Sequence, residues 1–254
     1  MLLKDKIVVV TGSGNGIGAA FARRFTAEGA KVVVTDIEPD ACAAMAKEVG
    51  GVGLAGDITQ EATVQAVAEL ARKTYGRIDL WFSNAGHSGL RQPGELQDDS
   101  QWDLAWRLHV MSHVYAARAV LPEMTARGDG YLLNTASSVA LSLQVEKAAY
   151  TVTKHGALSL SEWLSLHYRP KGVRVSCFCP GPMMTRMLRS NGLPEDHPVM
   201  QMALTPEQVA EVLVRGIEKE DFLILFPNSG LLEGLKEKAG DYDAWIARHA
   251  PAVS

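Results

Sequence analysis

Three side chains near the middle of this chain have the types and the order needed to move a proton: Ser137, Tyr150 and Lys154. Tyr150 and Lys154 stand at i and i+4, so on a helix they share one face and their tips converge. A phenol has a reference pKa of about 10 and is a poor base near neutrality. An ammonium beside it favours the phenolate, and each unit of lowering is about 1.4 kcal/mol of differential stabilisation. Ser137 follows the strand pattern Tyr131-Leu132-Leu133-Asn134-Thr135, where its hydroxyl can hold a substrate oxygen against that phenol. Together the three form a proton-transfer site for an alcohol or a carbonyl. Y-x-x-x-K alone recurs by chance in helices, so the assignment depends on what the rest of the chain supplies.

The N-terminal segment supplies a nucleotide loop. Ile7-Val8-Val9-Val10 reads as a strand buried on both faces, as in a parallel sheet. After it come Thr11-Gly12-Ser13-Gly14-Asn15-Gly16-Ile17-Gly18 and a helical pattern of Ile17, Ala20, Phe21 and Phe25 that ends near Gly29. A glycine turn between strand and helix is the context a dinucleotide loop requires, because backbone N–H groups and a helix N-terminus suit a pyrophosphate. The literal G-x-G-x-x-G spacing does not fit; the glycines fall at Gly12, Gly16 and Gly18, with Gly14 as an extra. Asp36 follows the second strand, Lys31–Thr35, and lies 18 residues beyond Gly18, near the expected distance to the adenosine ribose. A carboxylate there accepts hydrogen bonds from both ribose hydroxyls and repels a 2′-phosphate. Neither Ser13, Asn15 nor Ile37 is basic, so the expected cofactor is NAD.

Ser-Tyr-Lys in this order and at this gap, behind a T-G-x-x-x-G-x-G loop, resembles the short-chain dehydrogenase/reductase family, NAD-dependent type. The likeness runs from Ile7 to about Thr185 and is weak in the last quarter, where that family varies with substrate. The resemblance implies that Lys154 also binds the nicotinamide ribose. It implies that Asp57 and Ile58 flank the adenine, and that the turn Asn84-Ala85-Gly86 passes along the cofactor. Pro180-Gly181-Pro182-Met183-Met184-Thr185 resembles the family's P-G-x-x-x-T, so Pro180, Gly181, Met183 and Thr185 are expected at the nicotinamide carboxamide and phosphate. At His109 the chain departs from the pattern. Many members carry Asn there, at a kink whose backbone holds a relay water. His109 is thus a substituted relay position, expected beside Lys154 and kept neutral by its charge. His113 follows one turn later, but two histidines without a third ligand do not make a metal site. The resemblance also implies a homotetramer or homodimer through the long helices.

Substrate contacts are expected from Ser137, Tyr150 and the following apolar positions, Val139 and Leu143 among Leu141 and Val145. Further contacts are expected from Met184, Met187 and Leu188, at the start of a Met-rich irregular loop spanning about 186–205. Such a loop suits a mobile lid over an apolar substrate. No Lys/Arg run and a net charge of −4 argue against a nucleic-acid surface, and no apolar run is long enough to span a membrane. Cys177 and Cys179 sit two apart on a strand pattern and read, with Cys42, as reduced buried thiols. Met1-Leu2-Leu3 before Lys4-Asp5-Lys6 resembles no leader, so a cytoplasmic location is expected.

Six alternations of strand and helix predict a single α/β domain over 1–254. It should be a Rossmann-like doubly wound parallel sheet of about seven strands with helices on both faces. The expected function is hydride transfer between NAD(H) and a hydroxyl/carbonyl pair, most simply a hydrophobic secondary alcohol and its ketone. A catalytically silent NAD-binding regulator and a lyase or epimerase on the same scaffold are the alternatives; net NADH formation separates them.

Overall fold

The structure is a computed structural model that describes residues 1–89, 98–189 and 194–250. The chain alternates as predicted: β1 (Ile7–Thr11), α1 (Gly16–Ala27), β2 (Lys31–Thr35), α2 (Pro39–Glu48), β3 (Val52–Gly53), α3 (Glu61–Tyr75) and β4 (Leu80–Ser83). Next come α4 (Asp99–Trp106), a π-helical segment (Arg107–Met111), α5 (Ser112–Arg127), β5 (Gly130–Thr135), α6 (Ala148–Tyr168) and β6 (Val173–Cys179). The last part holds α7 (Arg186–Arg189), α8 (Pro198–Gln201), α9 (Pro206–Lys219), β7 (Leu223–Leu225), α10 (Leu231–Gly240) and α11 (Tyr242–His249).

All strands pair in parallel in the order β3-β2-β1-β4-β5-β6-β7. The order reverses at β1, so a crevice opens between the C-terminal ends of β1 and β4, the place where such sheets take ligands. Alternation along the strands feeds two cores. Val8, Val10, Leu80, Phe82 and Phe178 meet Phe21 and Phe25 of α1 and Val209 and Leu213 of α9. Val9, Trp81, Leu132 and Val175 meet Val64, Val67, Ala68 and Ala71 of α3 and Ala116, Ala117 and Val120 of α5. Strands buried on both faces explain the near-continuous Val/Leu/Phe runs.

Three local expectations shift. β3 shrinks to two residues, because its β-branched content is Val52 alone between glycines. The helix expected over 100–125 is broken by the π-helical turn around His109, which makes a physical kink of the one the resemblance implied. The loop expected to be irregular over 186–203 carries two single helical turns, α7 and α8, the second opened by Pro198 at its first position and capped by the His197 ring. Asn191-Gly192 and Leu193 lie outside the described residues.

Candidate active site

The glycine loop turns from β1 into α1 with Gly12 and Gly16 at φ of +62° and +56°, a region open to glycine at little cost. A Cβ on Gly12 would meet the Ala85 Cα at 2.8 Å, and one on Gly18 would stand 2.0 Å from the Gly12 carbonyl oxygen. The first closes the loop on the Asn84-Ala85-Gly86 turn; the second lets α1 sit directly on β1. A Cβ on Gly16 would meet nothing within 4 Å, so this face of the loop is open. α1 has no side-chain cap and no acid in its first turn. Its N–H groups and the positive end of its dipole are therefore available to an anion. An open glycine cradle against an uncapped helix fits a dinucleotide diphosphate.

The same features fix the effect of substitution. Gly18→Ala forces a backbone carbonyl aside, so we expect NADH affinity to fall at least tenfold, about 1.4 kcal/mol. A stability loss of about 1–3 kcal/mol, in the range for overpacking, should accompany it. Gly16→Ala meets only the left-handed backbone penalty of about 1–2 kcal/mol. Fluorescence titration with NADH and thermal unfolding of both variants check this; equal affinities for the Gly18 and Gly16 variants would contradict the packing argument.

Around the loop, Asp36 Oδ2 accepts a 2.8 Å bond from the Gly14 N–H and Oδ1 a 3.1 Å bond from the Glu38 N–H. Both carboxylate oxygens keep lone pairs for further donors. Asp57 closes a turn on Thr59 through bonds of 2.9 and 2.8 Å, and Ile58 beside it is buried. Asn84 Nδ2 donates to the Thr11 carbonyl at 3.0 Å, while Thr11 Oγ1 accepts the N–H groups of Asn84 and Ala85. Thr11 was missed as a site residue; it is the first letter of the glycine signature and the pin between two cofactor loops. Ser13 is turned inward, its hydroxyl donating to Val10 O at 2.7 Å, so its side chain braces the loop and does not face a ligand. Asn15 instead donates outward to Glu38 at 3.2 Å, and Ile17 is half-buried at the start of α1.

Ser137, Tyr150 and Lys154 meet at the C-terminal ends of β5 and β6. Ser137 follows β5 and is nearly buried; its Oγ accepts the Val139 N–H at 3.2 Å and it hydrogen-bonds the Tyr150 phenol. Lys154, 4% exposed, donates to the Thr135 carbonyl at 3.1 Å, and its Nζ lies 5.6 Å from the centre of the Tyr150 ring. Burial pushes the Lys154 ammonium down to about 8, against opposing pulls from Cys177 and Cys179. Burial outweighs the lowering of the Tyr150 pKa expected from Lys154. Burial raises the phenol above its ordinary value, and the Ser137 bond opposes this.

His109 is fully buried beside this pair, its ring 5.6 Å from the Tyr150 ring and edge-on. Thr153 Oγ1 donates to Ala149 O, so His109 Nδ1 carries the proton and donates to Thr153 at 2.9 Å. Nε2 is then the acceptor, facing the His87 N–H at 3.4 Å. A Cβ on Gly86 would lie 3.5 Å from His109 Nε2 and 3.6 Å from Lys154 Nζ, which bounds their separation at the sum of the two. The His109 pKa is held well below 6.5, first by burial and then by Lys154, so desolvation and not the ammonium dominates. His87 accepts the Gly89 N–H at Nδ1, leaving its proton on a buried Nε2 with no partner among the described residues. Its place directly after Asn84-Ala85-Gly86 was the signal available for it. Among the described residues no three His, Cys, Asp or Glu side chains form a metal cluster.

The Pro180–Thr185 turn closes the far side. Ser138 N donates to Pro180 O at 2.8 Å, Gly181 packs under Phe226, and Met183 bridges Leu204. Thr185 Oγ1 accepts the Leu188 N–H at 3.3 Å at the entry to α7. Val139, Met184 and Leu188 are half-buried here, and Leu143 is exposed; the Met187 side chain lies outside the described residues. A cavity of about 430 Å³ lies beside the segment after Ser137, walled by Leu141, Leu143 and Val145 and by Leu231, Trp245 and Ile246 of the last two helices. The part played by α10 and α11 was not legible from their short amphipathic patterns.

No helix among the described residues is long and apolar enough to cross a membrane. The sequence profile described as short chain dehydrogenase matches residues 6–196. 1-Deoxy-11-beta-hydroxypentalenate dehydrogenase of Streptomyces exfoliatus is 32% identical over 248 residues, 95% of this chain and 90% of its own. A short-chain dehydrogenase/reductase of Burkholderia phymatum, solved with NAD, superposes with a TM-score of 0.87 at 24% identity over all of both chains. L-Sorbose reductase of Gluconobacter frateurii, solved with NADPH and L-sorbose, superposes at 0.77 with 26% identity, covering 89% of this chain and 97% of its own. On the profile match across three quarters of its length, this chain belongs to the short-chain dehydrogenase/reductase family of oxidoreductases.

Proposed function

We propose that the protein is an NAD(H)-dependent dehydrogenase or ketoreductase acting on a hydrophobic secondary alcohol/ketone pair. The observation that carries this is the meeting of Ser137, Tyr150 and Lys154 at the strand ends that also hold the open glycine cradle. In the oxidative direction Tyr150, as phenolate, takes the alcohol proton and Ser137 orients the substrate oxygen. NAD, when bound, supplies the hydride acceptor. Lys154 holds the nicotinamide ribose and places a cation beside the phenol. Gly12, Gly16, Gly18, Asp36, Asp57, Asn84 and the Pro180–Thr185 turn position the cofactor. The apolar wall of Leu141, Leu143, Val145, Trp245 and Ile246 supports a hydrophobic substrate. Absorbance at the NADH band over a panel of secondary alcohols and ketones tests the reading; tight NADH binding with no turnover across the panel would overturn it.

His109 supports a modified relay. Its neutral ring has an acceptor, Nε2, and this atom and Lys154 Nζ lie 3.5 and 3.6 Å from where a Gly86 Cβ would stand. Protonation removes that acceptor and adds charge beside an ammonium, so activity should fall on the acid side, below pH 6.5. In His109→Asn that limb should vanish from the pH–kcat profile. Superimposable profiles for parent and variant would show that only the backbone at this position matters.

The homo-oligomer remains part of the proposal. Trp163 and Leu166 of α6 are 56% and 80% exposed, beside a groove of about 620 Å³ floored by Leu121, Pro122, Leu160 and Leu164. Exposed aromatic and aliphatic side chains on one helix face suit burial against a second copy. Trp163→Glu should shift the mass measured by light scattering toward the monomer; an unchanged mass would exclude this face.

A further inference from the structure

α5 carries a buried histidine that the site above does not use. His113 stands one turn after His109, is 1% exposed, and neither ring nitrogen has a hydrogen-bond partner among the described residues. Leaving a buried polar group unpaired is costly, so such groups usually have a water.

The strands beneath offer the second half of a site. Trp81 of β4 joins the core under α3 and α5, so Ser83, two residues on, faces the same way. Ser83 pairs in register with Asn134, and Asn134 with Cys177, which makes a row of polar side chains across three strands. Asn134 is satisfied by Ser161 at 3.0 Å, whereas the buried Ser83 hydroxyl has no partner. α5 runs antiparallel to β4 and β5, and its Ala116, Ala117 and Val120 pack with Trp81 and Leu132. One helical turn back, about 5.4 Å, matches two strand residues forward, about 6.6 Å. That step moves from the level of Trp81 to the level of Ser83, and on α5 it arrives at His113. Two unpartnered polar groups on facing elements are what an internal water requires; an empty cavity would be apolar.

We propose that His113 and Ser83 hold an ordered internal water between α5 and the sheet, and that this water solvates the buried Lys154 ammonium. Lys154 donates to the Thr135 carbonyl at 3.1 Å, one residue beyond Asn134, the register partner of Ser83, and burial, helped by the Lys154 charge, takes the His113 pKa down to about 3. A neutral imidazole accepts the water's hydrogen and turns its oxygen dipole toward the cation. His113 is then a positioning residue, in contact with neither substrate nor cofactor. The role at Lys154 rests on the oxidoreductase reading; the water site does not.

Other titratable groups face this region: Tyr150 on α6, His109 in the π-helical turn, His87 after β4, and Cys177 and Cys179 on β6. The test therefore reads Lys154 directly, by NMR of its ε-carbon in lysine-labelled protein, with a high-resolution crystal structure for the water. The crystal should show a water bonded to both His113 and Ser83. His113→Val should move the Lys154 midpoint down by about one pH unit, a tenfold change in its protonation equilibrium. His113→Gln, which keeps polar atoms, should recover most of it. Ser83→Ala should move the midpoint the same way by less, and stands in if His113→Val does not fold. A dry gap, or an unmoved Lys154 midpoint once the water is gone, overturns the proposal. Absence of turnover in the parent would instead overturn the oxidoreductase reading, since neither measurement needs substrate.

Discussion

Tyr150→Phe should abolish turnover while leaving the cofactor site intact. The substitution removes one oxygen whose protein partner is Ser137, and it keeps the ring that stands edge-on to His109 at 5.6 Å. The backbone of α6 and the Lys154 bond to Thr135 do not depend on that oxygen. General acid–base help is worth about 10² to 10⁴ in rate, so kcat should fall by at least about a hundredfold. The NADH dissociation constant should stay within about threefold, under 1 kcal/mol. Ser137→Ala acts through the same oxygen. It removes the one bond that opposes burial at the phenol. A base must be deprotonated to work, so raising its pKa moves the rising limb of the oxidation profile to higher pH and lowers the rate at neutrality. A Tyr150→Phe variant keeping more than about a tenth of the activity would fall below the range for acid–base catalysis and sink the mechanism.

How far the residues alone carried the reading depends on range. The alternation of buried strands with amphipathic helices is a local property, so the seven-strand sheet and helices such as Pro206–Lys219 were legible; the capping box of Thr205 and Gln208 that opens that helix came from the structure. Tyr150 and Lys154 share a helix, and their convergence follows from its period. What the pattern did not carry is the balance of charge against burial. From spacing, Lys154 is a cation that favours a phenolate; with its 4% exposure, desolvation takes the ammonium down to about 8 and pushes the phenol up. The same holds for His109. Its neutrality was foreseen, but its main cause, burial, and its fixed tautomer come from Thr153, a residue 44 positions away. His87 and Ser83 gained meaning only when the sheet set them against helices distant in sequence.

The cofactor preference should be as large an effect, and we expect it to be set at Asp36. Its carboxylate is already oriented by the Gly14 and Glu38 N–H groups at 2.8 and 3.1 Å, so it meets a ribose without reorganising. An adenosine 2′-hydroxyl would donate to it; a 2′-phosphate would bring about two negative charges to the same place. At about 4 Å even bulk water leaves roughly 1 kcal/mol per charge pair, and a partly buried site leaves more. The neighbours add to the repulsion. Ile37 is 67% exposed and neutral, while the Glu38 carboxylate stands beside Asn15 at 3.2 Å and contributes a second negative charge. We therefore expect kcat/KM to favour NAD over NADP by well over tenfold, each decade being about 1.4 kcal/mol. Asp36→Ala should shrink that ratio from both sides: it lifts the repulsion toward the phosphate, and it frees the Gly14 N–H, loosening the loop that holds NAD. The L-sorbose reductase structure with NADPH is a similar fold holding the phosphorylated cofactor, so the expected discrimination is placed on these side chains and not on the sheet. Comparable kcat/KM for the two cofactors in the parent protein, or an Asp36→Ala ratio unchanged from the parent, would refute the assignment of Asp36.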